Sequence, residues 1–132
     1  MKVLLTLYGD ETTWEDEPEA IRRAMDGWQG FDEAARAAGV LIACEGLERP
    51  HTSTTIRAEE GRRRVTDGPF IETKEQLGGI VLLEVRDLDE AIEWADRLPW
   101  DMEGCSTEIR PVMDYDAYAR RAAGAAEEPA AS

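Results

Sequence analysis

The sequence predicts an α+β fold, and three observations carry that expectation. Short Val-, Leu- and Ile-rich runs alternate with two segments of helical periodicity. Both helical segments open on acidic capping residues and close on Gly39 or Pro99. Ile80-Val-Leu-Leu-Glu-Val85 is nearly continuous in apolar residues, as expected of a central strand shielded on both faces.

In chain order, Lys2–Tyr8 reads as a first, central strand and Gly9–Glu15 as a polar loop containing Trp14. The first helix follows. Asp16 or Glu17 is placed to cap it, Pro18 suits its first turn, and Glu17 and Glu19 favour its positive end. Ile21, Met25, Trp28, Phe31, Ala35 and Ala38 recur at spacings of three and four, which predicts one core-facing stripe; Gly39 is the stop. Val40–Cys44 is a second strand ending in Glu45-Gly46. The β-branched run Thr52–Arg57 and the run Arg63–Thr66, joined through Glu60-Gly61, predict an inserted hairpin.

Asp67-Gly68-Pro69 then has turn chemistry. An Asp side chain can bond its own downstream backbone, Gly admits positive φ, and Pro fixes φ. Phe70 and Ile71 re-enter apolar surroundings, residues 72–76 are polar, and Gly78-Gly79 is expected to let the chain reverse before the Ile80 strand. Asp87-Leu-Asp-Glu90 is a capping-box variant opening a second helix, with Leu88, Ala91, Ile92, Ala95 and Leu98 as its buried face and Pro99 as its end. Residues 100–106 form a loop and 107–112 a last strand, whose Pro111 belongs at an edge or strand end.

This order is a split β-α-β with an inserted hairpin, ferredoxin-like, with the helices on one face. Residues 1–113 make the domain; a short helix from Asp114 to Ala123 and an Ala/Glu/Pro tail, expected to be disordered, make up 114–132. The other sheet face is left bare, and its apolar character predicts cover by a second copy of the same sheet, a homodimer.

Composition narrows function. A formal net charge of −14 over 132 residues argues against nucleic acid as a partner, because phosphate binding needs clustered Lys and Arg. No apolar run approaches the roughly 20 residues a membrane-spanning helix needs, so no membrane partner is expected. Two cysteines, Cys44 and Cys105, in a chain with no export-signal pattern predict free thiols and a cytoplasmic protein. Charge is uneven: residues 10–19 hold six acids and no base, whereas Arg62-Arg63-Arg64 is basic. The chain lacks a Gly-rich phosphate loop, a Cys-x-x-Cys, a His-Glu-x-x-His and a Gly-x-Ser-x-Gly, so no cofactor is expected.

Asp67 is the first candidate for chemistry, as a general base or a polar anchor at a pocket mouth; the competing reading is a carboxylate that holds its own turn. His51 is the single histidine, which excludes a multi-histidine metal site within one chain; a pair with Asp67 requires the hairpin to return its ends to one edge. Phe70 and Lys74 flank the same turn, Lys74 supplying a point charge. Arg110 suits a carboxylate, or a pair with Glu84 or Glu108 across the sheet. Trp28, Phe31 and Tyr8 are core residues first and pocket walls second.

Asp67-Gly-Pro-Phe70 with Glu72-Thr-Lys-Glu-Gln-Leu-Gly-Gly79 resembles the signature of the YCII-related superfamily in its DGPF-domain branch. The resemblance continues through Tyr8–Glu11, Gly39–Leu41, Glu45–Leu47, Asp87–Ala91 and Glu108–Val112. It implies a dimeric α+β barrel with a pocket between helix and sheet. It also implies a small-molecule-binding or regulatory module, because DGPF proteins are often encoded beside extracytoplasmic-function sigma factors. The alternative is a cofactor-independent lyase, isomerase or oxygenase-like enzyme using Asp67. Elsewhere in the superfamily a first-helix histidine is proposed to pair with an aspartate; counting back from Gly39, the matching place falls near Trp28, which transfers no protons.

Overall fold

The computed structural model describes residues 1–124; the expected tail beyond them lies outside the described residues. Four strands form one antiparallel sheet: β1 (Lys2–Asp10), β2 (Leu41–Gly46), β5 (Glu75–Glu84) and β6 (Ser106–Pro111), in the order β2-β5-β1-β6. Strands β3 (Thr54–Glu59) and β4 (Arg62–Asp67) pair only with each other. Helices α1 (Pro18–Ala37) and α2 (Leu88–Ala95) supply the second layer, and α3 (Tyr115–Ala122) follows the last strand. The α+β class and the β-α-β-hairpin-β-α-β order are as the sequence predicts.

Strand alternation decides which face is core. Val3, Leu5 and Leu7 of β1 and Val81 and Leu83 of β5 are essentially sealed, in one cluster with Phe31 and Ala35 of α1 and Ala91 and Trp94 of α2. Phe31 meets Trp94 edge-on, with ring centroids 6.0 Å apart. Leu4, Thr6, Tyr8, Ile80 and Leu82 alternate with the sealed residues and remain half-buried on the other face.

The helix ends follow their chemistry unevenly. Asp87 accepts from the Glu90 amide at 2.9 Å while Glu90 accepts from the Arg86 amide at 2.7 Å, which fixes the start of α2. Glu17 occupies the N-cap of α1, but its side chain makes no capping bond, and Asp16 instead pairs with Arg49 at 2.7 Å. Gly39, at φ 74°, ends α1 as expected.

Three expectations need correction. The α1 stripe is core-facing only in its second half: Phe31 and Ala35 are buried, whereas Ile21 and Met25 are exposed. The first half of the helix lies beside the loops carrying Trp14 and Pro99–Met102 rather than over the sealed strands. In α2, Leu88 and Ile92 are exposed and Trp94 takes the buried place. Gly78-Gly79 does not reverse the chain. Both lie inside β5, beside a register shift opposite Leu7 and Tyr8.

Candidate ligand cavity

The two glycines of β5 and Gly9 of β1 have a packing reason. A Cβ on Gly9 would stand 2.9 Å from the Trp100 ring, and one on Gly78 would stand 3.0 Å from it. The Trp100 indole therefore lies in a trough that only bare backbone leaves open. Its Nε1–H donates to the Tyr8 carbonyl at 3.0 Å, and Trp14 packs tilted against it at 6.1 Å between centroids. Gly79 serves the neighbouring edge, where a Cβ would meet the Glu45 carbonyl at 3.0 Å.

Fixed in this way, Trp100 walls a cavity of about 450 Å³ between α1 and the sheet. Trp28, Gln29 and Asp32 of α1 form one side; Leu7, Cys44, Glu45, Gly46, Gly78 and Gly79 form the other. Trp28 is held edge-on to Phe31 at 6.1 Å. Asp32 accepts from Arg36 Nε at 2.8 Å, so its carboxylate is already paired. Burial pushes the Cys44 thiol up, and the Asp32 and Glu45 carboxylates push it further, against the opposing pull of Arg36. The cavity thus presents two indoles, an amide, the arginine-paired carboxylate of Asp32, a neutral thiol and apolar strand surface. Such walls suit a flat, largely apolar ligand.

A second, more open cleft of about 640 Å³ collects the polar candidates. His51, Asp67, Lys74 and Asp10 all line it. Asp10 is the buried member. It accepts from the Thr12 hydroxyl at 2.6 Å and the Thr12 amide at 3.0 Å, and these bonds, outweighing its desolvation, hold its carboxyl below the ordinary range. Lys74 Nζ stands 3.8 Å from Asp10 and is itself largely exposed.

Asp67 is exposed at the end of β4, and its side chain bonds to none of the described residues. The expectation that it holds its own turn is not what occurs. The hairpin holds the turn from outside: the Gly68 amide donates to the Ser53 carbonyl at 2.8 Å, Thr55 Oγ1 donates to the Gly68 carbonyl at 2.7 Å, and Arg57 donates to the Phe70 carbonyl at 3.1 Å. Gly68 supplies the φ of 95° that the corner needs.

The site candidates therefore divide. Trp28 lines the apolar cavity; Asp67, His51 and Lys74 share the polar cleft. Phe70 is 67% exposed and lines neither. Arg110 sits on edge strand β6 and pairs with Glu108, two residues along the same strand, at 2.9 Å. Of the aromatic candidates, Phe31 is core and Tyr8 is half-buried on the opposite sheet face. Sequence reasoning missed Trp100, Gln29, Asp32 and Cys44 as walls. The signal for Trp100 was a glycine inside each of two strands, Gly9 and Gly78, with no turn to make.

Among the described residues, no three His, Cys, Asp or Glu side chains are grouped to hold a metal ion, and no helix is long and apolar enough to cross a membrane. The chain is 34% identical over 112 residues to the Uncharacterized protein R00369 of Rhizobium meliloti (strain 1021), covering 82% of this chain and 89% of that one. The model of the YCII-related domain matches residues 1–116, and the chain belongs to that family.

Proposed function

We propose that the protein is a small-molecule-binding module whose ligand sits between α1 and the sheet. One observation carries this reading. Gly9 and Gly78 give up side chains in two neighbouring strands so that Trp100 can wall a cavity of about 450 Å³. That volume lies within the range of ordinary ligand sites. A sequence under selection for core packing alone would fill such a space, because interiors are close-packed.

The reading extends to regulation, with an extracytoplasmic-function sigma factor as the partner that the DGPF resemblance implies. A net charge of −14 favours encounter with a basic partner surface. It extends also to a homodimer through the second sheet face, supported by half-buried Leu4, Ile80 and Leu82. Light scattering checks the dimer: Leu82→Lys should lower the mass to that of one chain, and an unchanged mass would exclude that face. The enzyme reading gains nothing from the surroundings of Asp67, a solvated carboxylate with no polar partner among the described residues.

A thermal-shift screen of metabolites tests the ligand reading, since native-state binding raises the melting temperature by mass action. Gly46 lines the cavity, and no atom stands within 4 Å of where its Cβ would be. Gly46→Phe therefore adds bulk at the rim without a clash at Cβ. A ligand of the cavity should lose its shift in Gly46→Phe and keep it in Asp67→Ala. The reverse pattern would move the site to the polar cleft.

A further inference from the structure

One stripe of α1 sets the charge beside the cavity. Trp28, Asp32 and Arg36 follow one another at spacings of four, so their side chains share a face of the helix. Trp28 and Asp32 line the cavity, whereas Arg36 does not. Arg36 Nε reaches back to Asp32 Oδ2 at 2.8 Å. Asp32 Oδ1 receives no hydrogen bond from any described residue, and the Asp32 side chain remains 35% exposed. Half of the carboxylate is therefore engaged and half is open.

The rest of the wall adds an acceptor and no cation. Gln29 Nε2 donates to Glu33 at 3.2 Å, which leaves Gln29 Oε1 without a donor among the described residues. The Trp100 N–H is taken by the Tyr8 carbonyl, so that indole offers a ligand its ring and no donor. Among the described residues, no lysine, arginine or histidine lines the cavity. Beyond its burial, the Cys44 thiol on the opposite wall is pushed up by Asp32 and by Glu45 more than Arg36 pulls it down, so the net field there is negative. A phosphate or carboxylate would meet no compensating charge in such a space. An organic cation would meet two ring quadrupoles and an open carboxylate oxygen.

On the reading that this cavity holds a ligand, we infer that the ligand is a flat aromatic amine in its protonated form, its ring against the Trp28 and Trp100 indoles and its ammonium on Asp32 Oδ1. The indoles supply contact area and cation–π attraction, and Asp32 supplies the charge that sets the preference. Arg36 moderates that preference from outside the cavity by holding the other oxygen.

Three probes that share a naphthalene ring and differ in charge test it: naphthylethylamine, cationic at neutral pH; naphthylethanol, neutral; and naphthylacetate, anionic. In titration calorimetry at low salt, the wild type should bind the amine about tenfold or more tighter than the alcohol, and the acetate more weakly than either. Asp32→Asn should lower the amine to the level of the alcohol and leave the alcohol unchanged. Arg36→Gln, which frees the second Asp32 oxygen, should tighten the amine and again leave the alcohol unchanged. The pair is solvent-accessible, so each variant should remain folded, which far-UV circular dichroism checks. Should Asp32→Asn fail to fold, Arg36→Gln and a loss of amine affinity in added salt carry the same test. Equal affinities for the three probes, all lost in Gly46→Phe, would overturn the charge preference and leave the cavity reading standing. An amine that does not bind would overturn the preference as well. Amine binding that survives Gly46→Phe would overturn the cavity reading along with it.

Discussion

The main sheet and the β3–β4 hairpin each hold an apolar cross-strand pair, and the two pairs meet opposite fates. Leu5 and Val81, opposed in the main sheet, are fully buried. Ile56 and Val65, opposed in the hairpin, are more than half exposed. The difference lies in the layer above. Phe31, Ala35, Ala91 and Trp94 seal one face of the main sheet, whereas among the described residues none from the hairpin belongs to that core cluster. An apolar cross-strand pair is thus a packing unit only where a second layer receives it. Where none does, the pair stays exposed.

The largest effect should come from breaking the sealed side. Leu5→Ala should cost about 2–5 kcal/mol in denaturant unfolding, from lost transfer free energy plus the cavity left behind. Ile56→Ala, measured at a concentration where the chain is monomeric, should stay within about 0.5 kcal/mol. Equal costs at the two sites would erase the contrast.

Next come the glycines, which differ in the same way. Gly78→Ala forces a Cβ to 3.0 Å from Trp100 and should destabilise by about 1–3 kcal/mol. It should also shift the tryptophan emission. Gly30, in the middle of α1 with nothing near its Cβ position, should accept Ala with a gain of about 0.5–1 kcal/mol. A Gly78→Ala variant as stable as wild type would mean that Trp100 does not need the trough.

A smaller effect concerns Asp10. The Thr12 bonds hold its carboxyl below the ordinary 3.8, so its contribution to stability is present above that value and lost as pH falls through the lowered folded-state value. The gap in melting temperature between wild type and Asp10→Asn should narrow on acidification through that window. A gap constant with pH would remove Asp10 from the account. Smallest of all is a rate. Burial raises the Cys44 and Cys105 thiols, so both should react with iodoacetamide more slowly in the native protein than in the urea-unfolded chain at neutral pH.

The same division governs what the sequence discloses. Local signals carried the element order: the Asp87 cap, the Gly39 stop and the Glu60-Gly61 hairpin turn all act within a few residues. Periodicity overreached in α1, because the spacing of Ile21 and Met25 records a helix but not which neighbours lie beside each of its turns. Gly78-Gly79 was misread because a glycine kept for close approach looks the same in sequence as one kept for a turn. The cavity was the least legible feature. Trp100 is anchored to a carbonyl 92 residues away, and no local pattern encodes that contact. The polar cleft was more visible, since the turn at Asp67 announces itself, yet its carboxylate proved to be solvated.

The most direct measurement is the amide and indole NMR spectrum of the labelled protein, titrated with any compound that raises its melting temperature. The account predicts that the indole N–H signals of Trp28 and Trp100 and the amides of Gly46 and Gly79 shift together, while those of Gly68 and Lys74 stay in place. Shifts confined to Gly68, Lys74 and the His51 ring would contradict it and relocate the ligand to the polar cleft.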